Sequence, residues 1–163
     1  MSDRDLEETW EAWTARIAAH LAALTEDDWL TFAVHVPSRA ESTYAAERAA
    51  RGRRRGRRPG QPPRVPDAFV QARTLAGVLA LECIGDTEFE GLTDLTREAQ
   101  EALVRLGWLR DGDEPEFSRT FGEEGTHEAA PAAAALLAAT LSGVLGAARP
   151  ADVDVRRAPQ RRR

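Results

Sequence analysis

FVQARTLAGVLALECI, residues 69 to 84, decides how this chain folds. Two apolar runs, FVQAR and VLALECI, are separated by TLAG, in which Gly77 is available for a positive φ. Period-two alternation puts Leu79, Leu81 and Cys83 on one face of the second run. That pattern predicts two antiparallel strands joined by a tight connection. A lone hairpin is only marginally stable in water, so its apolar face needs further strands and a covering layer.

Both requirements are met on either side of the hairpin. WLTFAVHV, Trp29 to Val36, sends Leu30, Phe32, Val34 and Val36 one way and Trp29, Thr31, Ala33 and His35 the other, and Pro37 ends it. Upstream, Leu6, Trp10, Trp13, Ile17, Leu21 and Leu24 recur at helical spacing, with Ser2 or Asp3 as the expected cap. Downstream, Thr93 or Asp94 is expected to open a helix carrying Leu95, Ala99, Leu103 and Leu106, which Gly107 stops. WLRDGDEPEFSRTF reads as two short strands around an acidic turn at Asp111 to Pro115. APAAAALLAATLSGVLGAA closes the pattern as a helix with Pro131 in its first turn and Leu137, Leu141, Val144 and Ala148 facing inward. The order α-β-β-β-α-β-β-α predicts an α+β fold, a single antiparallel sheet with helices on one face.

Charge is distributed unevenly along the 163 residues. All 22 basic residues are arginine, which reads as a composition bias. Residues 48 to 64 carry eight arginines and no acid, residues 156 to 163 five and no acid. The remainder sets nine arginines against the chain's 27 acids, a net of −18, so the basic arm can lie against its own acidic domain. Gly52, Gly56, Pro59, Gly60, Pro62 and Pro63 oppose regular structure in the arm. The expected organisation is one domain over residues 1 to 155, interrupted by a basic insertion at 38 to 66 that is disordered at least from Arg51, then a disordered basic tail at 156 to 163. Arg51, Arg53, Arg54, Arg55, Arg57 and Arg58 are the candidates for polyanion contact. No aromatic is interleaved among them and no recognition helix follows, so a solvated loop is the default reading and nucleic acid is not the favoured partner.

Catalytic and membrane classes find little support. There is no GxSxG, P-loop or dinucleotide fingerprint, and His20, His35 and His127 share no metal-ligand spacing. DGDE at 111 to 114 lacks the later ligands of a calcium loop and suits a turn. Cys83 alternates inward and reads as a small buried hydrophobe, and one cysteine permits no internal disulfide, which suits a reducing cytoplasm. MSDRDLEETW lacks a basic and then apolar start, so no secretory signal is expected. Residues 129 to 148 are uncharged, but their alanines, glycines and proline make a weak span and a good core helix. The expectation is therefore a chain that is not an enzyme, takes no cofactor or metal, and contacts no membrane.

FVQARTLAGVLALECIGD, followed by Thr96 to Trp108 with Gln100, Leu103, Leu106, Gly107 and Trp108, resembles the TY-Chap domains of high-GC bacteria. These are grouped with YbjN-like domains and the type III secretion chaperones. The closing APAAAALLAATLSGVLGAARPADVDV is similar to the last helix of that family and its exit, so the likeness covers roughly residues 4 to 36 and 66 to 155. It implies the same element order and a non-catalytic module that binds a client's peptide segments. The insertion at 38 to 66 is longer and more basic than the family pattern.

Site choices rest on the residues alone. A small α+β domain with a sheet edge and surplus aromatic surface suits an extended chain, held by strand addition. The outward face of the first strand offers Trp29, Thr31 and His35, and the second offers Phe69 with Gln71 or Val70. Trp29 is either a peptide-binding anchor or a core aromatic beneath a helix. The expected partner is a client protein or peptide, with a homodimer left open. Two alternatives stand beside this: a nucleic-acid accessory protein acting through residues 51 to 64 and the tail, and a structural homo-oligomer.

Overall fold

The computed structural model describes residues 7–26, 28–34, 68–84, 95–112, 116–122 and 126–159. The polyanion candidates of the arm lie outside these residues, as does His35.

The central hairpin forms as expected and is tighter. β2 (Ala68–Leu75) and β3 (Val78–Ile84) pair antiparallel up to Leu75 opposite Val78, which leaves a two-residue turn. Ala76 (φ 49°) and Gly77 (φ 79°) both take positive φ. Such a primed turn matches the right-handed strand twist, and its two positive φ values are why Thr74 and Leu75 stay in the strand. β1 (Asp28–Val34) adds to β2 with Trp29 opposite Arg73, Thr31 opposite Gln71 and Ala33 opposite Phe69.

α1 (Trp10–Ala22) starts later than the capping candidates Ser2 and Asp3 suggest. Thr9 is its cap: the Ala12 N–H donates to Thr9 Oγ1 at 3.2 Å, satisfying one of the first-turn donors. Trp13, Ile17, Leu21 and Leu24 are buried, and Trp10 is partly buried beside Trp13. α2 (Arg97–Arg105) is capped by Thr96 and stops where expected, at Gly107 (φ 95°). Trp108 N–H donates to the Leu103 carbonyl and Gly107 N–H to that of Val104, so Leu106-Gly107-Trp108 is a Schellman motif. The motif turns Trp108 into the core, where its Nε1–H donates to Thr140 Oγ1 at 2.9 Å.

β4 (Leu109–Arg110) and β5 (Glu116–Phe121) are the two short strands expected here and pair antiparallel, while residues 113–115 of the expected acidic turn lie outside the described residues. α3 (Thr126–Gly143) begins earlier than expected, which puts Pro131 past the first turn and leaves the His127 carbonyl without its i+4 donor. Leu137, Leu141 and Val144 are buried as their spacing requires, whereas Ala148 is exposed, because Gly146 (φ 82°) has already turned the chain out of the helix.

A sixth strand then follows a 3-10 turn at Pro150–Asp152. β6 (Val153–Pro159) pairs antiparallel with β1, Val155 opposite Phe32 and Arg157 opposite Leu30. The tail expected from 156 is thus strand as far as 159. Its arginines do not repel one another there, because Arg156 pairs with Asp154 at 2.5 Å and Arg157 with Asp28. The sheet order is β4-β5-β3-β2-β1-β6, antiparallel throughout. Among the described residues the fold is α+β, three helices on one six-stranded sheet, in the expected order plus β6.

α1 packs along α3, and α3 lies over β3 and β5. Trp13 meets Phe32 edge-on at 6.0 Å, and the Thr74 hydroxyl donates to the Leu24 carbonyl at 3.4 Å, so α1 covers the same face. Leu30, Phe32, Val34, Val70, Ala72, Leu79, Leu81, Cys83 and Phe117 form that face and are buried. Burial pushes the Cys83 thiol up to about 12, so it stays protonated at neutral pH and serves the core, not nucleophilic chemistry.

Candidate functional site

Alternation leaves the other parity of every strand on the second face of the sheet, away from the described helices. β1 sends Trp29, Thr31 and Ala33 there, and their register partners on β2 are Arg73, Gln71 and Phe69. Across the next ladder, Gln71 faces Glu82 and Arg73 faces Ala80. All of these are half-buried except Ala80, which lies sealed between its neighbours. On β6 the flanking residues Asp154, Arg156 and Ala158 are exposed, as are Ser118 and Thr120 on β5.

Four of the sequence-derived site residues therefore share one surface: Trp29, Thr31, Phe69 and Gln71. Val70, the alternative to Gln71, is buried on the covered face. Thr31 and Gln71 are direct cross-strand partners. Phe69 lies opposite Ala33, four residues along β1 from Trp29, so the two aromatics bracket about 13 Å of strand at about 3.3 Å per residue. None of the described helices packs over Trp29, which is half-buried. Its ring carries the Arg73 guanidinium, whose central carbon is 4.9 Å from the ring centroid.

Arg73 and Glu82 were not singled out from the sequence. Arg73 Nη2 donates to Glu82 Oε1 at 2.5 Å, and the Arg73 Nε atom is buried without an acceptor. A signal existed for both: Phe69, Gln71 and Arg73 follow the period of two, and so do Ala80 and Glu82. What one strand could not reveal is that these two rows are neighbours.

The two edges of the sheet differ. β4 offers two residues, whereas β6 offers seven, ending in Pro159, which brings no N–H to a ladder. The inner side of β6 becomes more open along its length, from buried Val153 through half-buried Val155 to exposed Arg157, as it runs out from under the helices. Arg157 with Thr25 holds the Asp28 carboxyl below the ordinary carboxylate range, the arginine contact being the larger cause. Near β4, Val104, Leu106 and Leu109 are exposed.

Among the described residues no group of three or more His, Cys, Asp or Glu side chains could hold a metal ion. His20 and His127 are both exposed, on α1 and α3 respectively. No helix among these residues is long and apolar enough to cross a membrane.

Comparison with known proteins returns one family. The model described as TY-Chap3, "T3SS (YopN, CesT) and YbjN peptide-binding chaperone 3", matches residues 3–159. No curated protein matches the chain, and no solved structure does.

Proposed function

The chain belongs to this family of T3SS and YbjN peptide-binding chaperones, and from that premise we propose that it holds an extended segment of a client protein against the β6 edge and the sheet face opposite the described helices. One observation carries the reading. Trp29, Thr31, Phe69 and Gln71 stand together on a face that none of the described helices packs against. Half-exposed aromatics beside polar side chains suit a segment whose alternate residues pack and whose backbone takes hydrogen bonds. The seven-residue β6 supports strand addition better than the two-residue β4, since affinity in that mode grows with the length of the main-chain ladder.

The role is binding without turnover, in keeping with a chaperone family. A cytoplasmic place is part of the same proposal and suits the single, buried cysteine. A second copy is the other partner we propose, on the strength of the exposed Val104, Leu106 and Leu109, and sedimentation over a concentration series tests it.

A peptide array and a nucleic-acid duplex titrated in parallel at two ionic strengths test the main reading. Peptide binding should survive moderate salt and weaken in Trp29→Ala. Tight, steeply salt-sensitive duplex binding with no peptide response would replace the chaperone reading with the nucleic-acid one.

A further inference from the structure

A half-buried indole on a sheet face has two side-chain torsions to lose when it grips a ligand, and holding it still beforehand removes that loss from binding. Trp29 has such a holder. Arg73, its direct register partner, lays its guanidinium over the ring at 4.9 Å. Glu82, on the far side of β2 and diagonal to Arg73, takes Nη2 at 2.5 Å and fixes the plane of the guanidinium. The pair is only about a quarter exposed (27% and 25%), so solvent competes weakly for either group. The Nε atom is fully screened from water and lacks an acceptor, an arrangement with a polar cost that the ring contact of the guanidinium can offset. A surface ion pair formed for its own sake would leave neither the ring contact nor a desolvated donor.

We propose that Arg73, tethered by Glu82, is the positioning residue of the client site: it fixes the Trp29 ring so that its accessible part is presented to an extended segment. This rests on the reading of the open face as the client surface. In this proposal Arg73 acts through Trp29, with its charge already balanced by Glu82 through Nη2.

The full chain, labelled with 5-fluorotryptophan, tests the proposal in two measurements. The four tryptophans give separate fluorine resonances, with the line of Trp29 assigned by its loss in Trp29→Phe. In Arg73→Met that line should broaden or shift while those of Trp10, Trp13 and Trp108 stay, Glu82→Gln should do the same more weakly, and Arg73→Lys should recover part of the change. Affinity is read with fluorescein-labelled, reduced and carboxymethylated lysozyme, a permanently unfolded chain. Trp29→Ala should weaken it about tenfold or more and Arg73→Met about three- to tenfold, the range expected for a cation–π contact with ordering. Thermal melts of each variant separate these losses from loss of fold. If Trp29→Ala weakens binding but Arg73→Met moves neither the fluorine line nor the affinity, the positioning role falls and the client face stands. An affinity loss in Arg73→Met without a change in the Trp29 line also overturns the proposal, because Arg73 would then contact the client itself. Failure of the unaltered chain to bind the probe, or binding that Trp29→Ala leaves intact, removes the client face and the positioning role together.

Discussion

Leu30, Phe32 and Val34 are sealed beneath the helices, whereas Trp29, Thr31 and Ala33, one residue away on the same backbone, stay partly accessible on the other side. The covered face joins Trp13, Trp108 and α3 in one apolar cluster. The second face mixes two aromatics with threonine, glutamine and an arginine–glutamate pair. This contrast separates two kinds of substitution. Changes on the covered face should act on folding through lost burial and unpaired polar atoms, and, if the proposed client site is right, changes on the second face should act on recognition.

The sharpest break comes from Trp13→Ala. Trp13 is fully buried and meets both Trp10 and Phe32, so its truncation should remove about 3–5 kcal/mol, close to the whole stability of many domains. Urea denaturation followed by circular dichroism reads it, and an unchanged midpoint would deny that α1 seals this face. Next, Thr140→Val keeps the volume but leaves the buried Trp108 Nε1–H without its acceptor, at a cost of about 1–3 kcal/mol. A shift of the same melt measures that loss. Trp29→Ala is the counterpart on the second face, expected to change stability by less than about 1 kcal/mol while weakening peptide binding. A stability loss as large as that of Trp13→Ala would make Trp29 a core residue and erase the contrast.

The smallest effect belongs to the fringe where β6 leaves the helices. Arg157 lowers the Asp28 pKa, so the ionised carboxylate is favoured in the fold. The stability this brings is present above the ordinary carboxylate value of about 4 and is lost as pH falls from there through the lowered folded value. Asp28→Asn should remove that part of the acid dependence, measurable as a flatter plot of melting temperature below about pH 4.

Much of this was legible because periodicity is local. The alternation of residues 29 to 34 and 69 to 83 states the parity of each side chain, and Leu106-Gly107-Trp108 announces a helix stop followed by a buried aromatic. Where competing signals were equally local, boundaries moved: Thr9 capped α1 in place of Ser2 or Asp3, and Thr96 capped α2 in place of Thr93 or Asp94. β6 was missed for another reason. VDVRRAP reads as a basic tail until Asp28 and the edge of β1 are beside it, and that neighbour is more than a hundred residues away in the chain.

By itself, then, the sequence determined which residues could share a face, where helices must stop, and that one α+β sheet would bury half of each strand, since these follow from steric periods of two and 3.6 along a single backbone. Only the tertiary structure decided which strands are neighbours and which side the helices cover. Those choices rest on contacts between residues far apart in the chain. They put Arg73 over Trp29, tie it to Glu82, and turn four separate outward residues into one surface.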